Sequence, residues 1–174
     1  MRDVGMEELI AHAAVSETEF HQRFASKEEL ILAFLQRREE IWTWGMVVGG
    51  ATERASAPEQ QLLAIFDVFD IWFERDDFEG CSFINTLLEM GIDSPAGRAS
   101  SEYGEKIRLI LRDLAEKAGL VDCDEFASSL HILMKGSIVS AVDDGRRAAQ
   151  RAKAMARHLI EEHRAQLTPT GSYQ

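Results

Sequence analysis

The sequence predicts an all-helical protein, and three observations carry that expectation. Apolar residues recur at spacings of three and four, and no stretch alternates long enough for a half-buried strand. Only 3 prolines interrupt the 174 residues, so long segments can stay helical. Serine-led capping signals stand where apolar periods begin. Hydrophobic residues make up 45% and charged residues 28%, ordinary values for a globular chain. No apolar run approaches the roughly 18 residues needed to span a bilayer, so no membrane partner is expected. No apolar stretch follows the N-terminal charge, which speaks against a signal peptide and for the cytoplasm. Cys81 and Cys123 lack metal or redox spacing. Among the histidines, His158 and His163 stand five apart, whereas two ligands on one helical face want about four. No metal, no cofactor and no catalytic constellation are expected; the chain does not read as an enzyme.

Taken in order, the first helix is expected from about Met6 to Ala13. Ser16-Glu17-Thr18-Glu19 reads as a capping box that opens a second helix. The same signal returns at Ser26-Lys27-Glu28-Glu29 and opens a long third helix with Leu30, Ile31, Phe34, Leu35, Ile41 and Trp42 inward. Gly49-Gly50 is expected to stop it, and a polar loop is expected over 51–57. Pro58 suits the first turn of the next helix, whose face is Leu62, Ile65, Phe66, Phe69, Trp72 and Phe73. A turn over 74–80 precedes a short helix holding Phe83, Ile84, Leu87, Leu88 and Met90. Asp93-Ser94-Pro95 caps another long helix, with Tyr103, Ile107, Ile110, Leu111 and Leu114 inward, ending at Gly119.

The last two helices are expected from about Asp124 to Val142 and from Gly145 to Gln166. The first is apolar on two faces. Phe126, Leu130, Leu133, Met134, Ile138 and Ala141 form one; Ile132, Gly136, Val139 and Val142 form the other. A helix apolar all round is buried on both sides, and a partner subunit supplies the second cover most simply. Ala152, Met155 and Leu159 of the last helix join Ile132, Gly136, Val139 and Val142 as the expected dimer interface.

The stretch from Leu9 to Leu30, LIAHAAVSETEFHQRFASKEEL, is the most informative. It resembles, without a gap, the helix-turn-helix of TetR regulators, roughly I-A-x-x-A-G-V-S-x-x-x-L-Y-x-x-F-x-S-K-x-x-L. Leu9, Ala13, Val15, Ser16, Phe24, Ser26, Lys27 and Leu30 meet the pattern; Phe20 takes the leucine position and His21 the tyrosine position. A weaker likeness, to the ligand-binding domain of one TetR branch, runs through Phe66 to Phe73 and Asp77 to Asn85. The resemblance implies a TetR-like all-α fold in three parts. Residues 1–46 would be a helix-turn-helix head, 47–167 a ligand-binding and dimerisation body, and 168–174 a flexible tail. The family usually carries one more helix before this motif, so the head is expected to be incomplete.

The resemblance also implies functional positions. Glu17, Thr18, Glu19 and Gln22 would face DNA bases, with Ser16, His21 and Lys27 near phosphates. Phe66, Phe69, Trp72, Phe73, Phe83, Leu87 and Tyr103 would line the site of a small apolar or aromatic effector. The expected function is a ligand-responsive repressor that binds operator DNA as a homodimer. Three features pull the other way. Net charge is −11, and residues 1–40 carry five cationic side chains against nine carboxylates. Nucleic-acid binders need a positive surface to meet phosphates. Ala14 stands where the family has its turn glycine. With the incomplete head and the acidic recognition positions Glu17 and Glu19, the −11 charge gives the alternative expectation, a dimeric small-molecule-binding or protein-interaction module with a vestigial head.

Overall fold

The computed structural model describes residues 4–164, so the expected tail over 168–174 lies outside the described residues. Helix α1 spans Met6–Ala13, α2 Glu17–Arg23 and α3 Lys27–Arg38. Capping places the starts of α2 and α3. Ser16 Oγ accepts from the Glu19 amide at 3.2 Å, and Glu19 Oε2 accepts from the Ser16 amide at 2.9 Å, a complete capping box. The second signal closes differently. Ser26 Oγ accepts from the Glu29 amide at 3.2 Å, but Glu29 reaches one residue further back, to the Ala25 amide at 2.6 Å.

The expected stop at Gly49-Gly50 does not occur. Beyond α3 the helix widens into a π-helical segment, Glu39–Gly49, and continues as α4, Gly50–Arg54. A glycine ends a helix by adopting positive φ, and neither Gly49 nor Gly50 does so. Gly50 serves packing instead: a Cβ there would stand 2.8 Å from Val68 Cγ2. The π register also changes which side chains turn inward. Trp42, Thr43 and Val47 are buried, whereas Ile41, expected inside, is exposed together with Trp44.

Helix α5 is Pro58–Trp72 with proline in its first turn, α6 Ser82–Met90, α7 Pro95–Lys117, α8 Cys123–Asp144 and α9 Arg146–Glu162. No described helix is long and apolar enough to cross a membrane.

Contacts divide the chain into two compact units: Met1–Gly49 with Asp77–Ile107, and Gly50–Asp76 with Arg108–Gln174. This differs from the chain-order division at 46/47. Residues 77–107 group with the N-terminal helices because their side chains do. In this first unit the Phe83 ring packs on Trp42, centroids 6.2 Å apart, and on Tyr103 at 5.1 Å. Lys106 Nζ reaches back to Glu39 Oε1 at 2.9 Å. Ser94 caps α7 by accepting from the Gly97 amide at 2.9 Å. Gly97 is required there, since a Cβ would fall 1.9 Å from the Gly91 carbonyl oxygen.

The second unit is built on α5, α8 and α9. Phe66, Phe69, Phe126, Leu130, Met134 and Ile160 are among its largest fully buried side chains. Each contributes about 1.5–3 kcal/mol by leaving water. Ala148, Ala149, Ala152 and Ala156 form the buried stripe of α9. An ionic ladder joins α9 and the residues just beyond it to α5: Arg164 to Glu59 at 2.7 Å, Lys153 to Asp67 at 2.5 Å, and Arg146 to Asp70 at 2.5 Å. The falling numbers on α9 against rising numbers on α5 make the two helices antiparallel.

Candidate functional site

The head is assembled from local chemistry. Helix α1 ends on Ala14, which adopts the left-handed conformation at φ +54° and donates its amide to Ala11. An L side chain tolerates that region poorly, so the glycine-less turn holds at a cost. Helix α2 then turns Phe20 inward against Phe24, ring centroids 5.5 Å apart. Phe20 is buried, although the sequence left it without an obvious cover; Val15 stays exposed. Leu9, Leu30, Ile31 and Phe34 line an apolar groove of about 320 Å³ in the same unit.

The candidate DNA-contacting residues fall into two groups. Ser16 and Glu19 are engaged with each other. Besides the two backbone bonds, Ser16 Oγ donates to Glu19 Oε2 at 2.7 Å. These bonds hold the Glu19 carboxyl below its ordinary pKa, because each stabilises the charged form. Glu17, Thr18, His21 and Gln22 are exposed on α2. Glu17 has an 80% exposed side chain and meets His21 Nε2 at 3.9 Å. Lys27 is half-buried and donates Nζ to the Val4 carbonyl at 2.5 Å. The exposed surface of α2 is thus a mixed polar one, led by a carboxylate rather than a cation.

The candidate effector residues are divided between the units. Phe66, Phe69, Trp72 and Phe73 belong to the second, where neighbouring rings meet edge-on or tilted with centroids 5.5–6.0 Å apart. Phe83, Leu87 and Tyr103 belong to the first. Polar groups that the apolar pattern does not reveal stand with the latter set. Lys106 lies 4.8 Å from the Tyr103 ring centre while bonded to Glu39. Burial pushes the Tyr103 hydroxyl pKa up, and the Glu39 charge adds to it. Thr43 Oγ1 and Ser100 Oγ are buried without a hydrogen-bond partner, each at about 1–3 kcal/mol. A phenol with an ion pair beside its ring is a group that can orient a ligand carrying hydrogen-bonding groups. The second unit hides another polar group, His131, buried on α8; its pKa is pushed down to about 3 by burial, with Lys135 and Arg108 adding. Nothing in the spacing marks it, since histidine on an apolar face reads as any other polar interruption.

Helix α8 keeps two faces. Phe126, Leu130, Met134, Ile138 and Ala141 are buried, while Ile132 is 69%, Val139 58% and Val142 75% exposed. Gly136 and Met155 are exposed with them, and Leu159 is half-buried. Ile132, Leu133, Met155 and Leu159 border an open groove of about 440 Å³ between α8 and α9. Ala152 departs from the expected set: it is buried within its own chain, in the inner alanine stripe, because its register on α9 matches Ala148 and Ala156 rather than Met155. Three apolar side chains more than half exposed on one helix face are what a covering surface would bury.

No family model and no curated protein matches the sequence. Solved structures do. The TetR-family transcriptional regulator SCO4454 of Streptomyces coelicolor superposes with TM-score 0.82 at 20% identity, over 93% of this chain and 86% of that one. A Streptomyces avermitilis protein assigned as a TetR transcriptional regulator gives TM-score 0.73 at 24% identity, over 92% and 87%. Reduced NemR of Escherichia coli gives TM-score 0.74 at 18% identity, over 98% and 90%. The all-helical fold of this chain is thus the fold of TetR-family transcriptional regulators, and the resemblance carried by Leu9–Leu30 extends to the backbone.

Proposed function

We propose, with the TetR fold as the premise, that the chain is a transcriptional regulator rather than an enzyme, working in the cytoplasm. It binds operator DNA as a homodimer and answers to a small effector. The observation that carries this reading is the head. Its gap-free motif is matched by a helix-turn-helix with a full capping box and an exposed polar α2. Such a helix enters the major groove, and two-fold related heads would meet successive grooves about 34–36 Å apart. The exposed Ile132, Val139 and Val142 face supports pairing through α8 and α9. The family likeness supports a small apolar or aromatic effector. Effector control requires different affinities for the two states of the protein.

Fluorescence anisotropy on DNA flanking the gene, across a salt series, tests the reading. Binding that weakens steeply with salt is the expected result. An effector that leaves DNA affinity unchanged would remove the ligand-responsive part. Sedimentation tests the dimer: Val139→Glu should convert it to monomer, and a wild-type monomer at high micromolar concentration would sink the interface. The acidic head favours one second reading, a dimeric ligand-binding or protein-interaction module whose head no longer meets DNA. A flat anisotropy signal at low salt would select it.

A further inference from the structure

We propose that Glu17 is a base-reading residue of this head, its carboxylate accepting a hydrogen bond from the N4 amino group of cytosine in the major groove. The inference rests on the DNA-binding reading above and deepens it. Helix α2 carries two carboxylates in opposite circumstances. Glu19 Oε2 takes both the Ser16 amide at 2.9 Å and the Ser16 hydroxyl at 2.7 Å, so that oxygen is committed to shaping the turn. Glu17 is 80% exposed, and its nearby partner is the His21 ring at 3.9 Å, beyond hydrogen-bond length. Thr18, His21 and Gln22 share the exposed surface.

A carboxylate brought among phosphates is repelled, so at a DNA-facing position it loses affinity unless a donor meets it. The major groove offers two amino donors, cytosine N4 and adenine N6. Adenine places the N7 acceptor beside its amino group, and that lone pair repels an acceptor-only carboxylate. Adenine N6 is flanked on both sides, by N7 and by the O4 of the paired thymine, whereas cytosine N4 has an acceptor on one side only, the O6 of its guanine, and a C–H edge on the other. The charge that makes the head look unsuited to DNA then becomes a discriminating contact: it is repelled where acceptors flank or replace the amino group and met where the cytosine N4 edge lies open.

The test is selection from a randomised duplex library at fixed salt, with the full chain as wild type, Glu17→Ala, Glu17→Gln and Glu19→Gln. Wild type should enrich cytosine at one position of each half-site. Glu17→Ala should flatten that position by about 10- to 100-fold, leaving the other positions unchanged. Glu17→Gln should move the preference toward adenine, whose N6/N7 edge matches an amide. Glu19→Gln should lower affinity for all sequences alike, as a shaping residue does. Identical base preferences for wild type and Glu17→Ala would overturn this proposal while leaving the DNA-binding function standing. No enrichment at all, with binding insensitive to salt, would overturn both.

Discussion

Helices α1 and α2 and the pair α5–α9 are held by different physics. Helix α1 buries none of its residues, and α2 buries only Phe20. Their geometry comes from a capping box, an αL turn at Ala14 and two phenylalanine rings. Helix α5 buries Leu62, Ala64, Ile65, Phe66, Val68, Phe69 and Trp72, and α9 sets its alanine stripe and an ionic ladder against the same unit. Most of those ion pairs are partly solvated and contribute about 0–1 kcal/mol each, so buried rings dominate. Local hydrogen bonds can set a shape but contribute about 1 kcal/mol apiece. The surface proposed to meet DNA is therefore carried by the part that opens most easily, and the aromatics of α5 proposed to meet an effector by a part that opens with the whole.

The largest effect that follows is in α5. Phe69→Ala should cost about 3–5 kcal/mol in urea unfolding, because the side chain is fully buried. A loss under about 1 kcal/mol would mean that α5 is no better anchored than α2. Next comes the pH dependence of His131. Its folded pKa is about 3, against 6.5 for a free imidazole. Between those values the unfolded chain binds a proton that the folded chain does not. Stability is therefore complete above about pH 6.5 and falls by up to about 1.4 kcal/mol per pH unit below it. His131→Leu should flatten that slope in unfolding midpoints at pH 7, 6 and 5; an unchanged slope would assign the loss to other groups.

The head gives smaller numbers. Ser16→Ala should remove about 1 kcal/mol, visible as faster amide hydrogen exchange confined to α1 and α2. Exchange accelerating equally in α5 and α9 would erase the contrast. Ala14→Gly should slow exchange there, stabilising by up to about 1 kcal/mol, since glycine adopts φ +54° without a Cβ penalty. A destabilised head would show that Ala14 makes contacts worth more than its strain.

What could be read in advance followed from short-range causes. Met6–Ala13, the Ser16 box, the Pro58 start and the two faces of α8 each depend on residues within a turn or two of one another, and the structure has them where the pattern placed them. So did the Ala14 turn, because positive φ is a property of one residue. Gly49 and Gly50 misled because a glycine can end a helix or admit a neighbour, and only the presence of Val68 beside Gly50 chooses. The π-helical register of Glu39–Gly49, which turns Ile41 out and Thr43 in, breaks the 3.6-residue period on which inward faces are read. The separation of Phe83 and Tyr103 from Phe69 and Trp72, the return of Lys106 to Glu39 and the burial of His131 pair residues many turns apart. The sequence by itself determined most of the helices and their caps, since those follow from hydrogen bonds and periodicity along one chain, and it carried the Leu9–Leu30 stretch whose family resemblance pointed to the fold. The tertiary structure alone decided which polar groups are buried and which helices share a unit, because both depend on what lies across space.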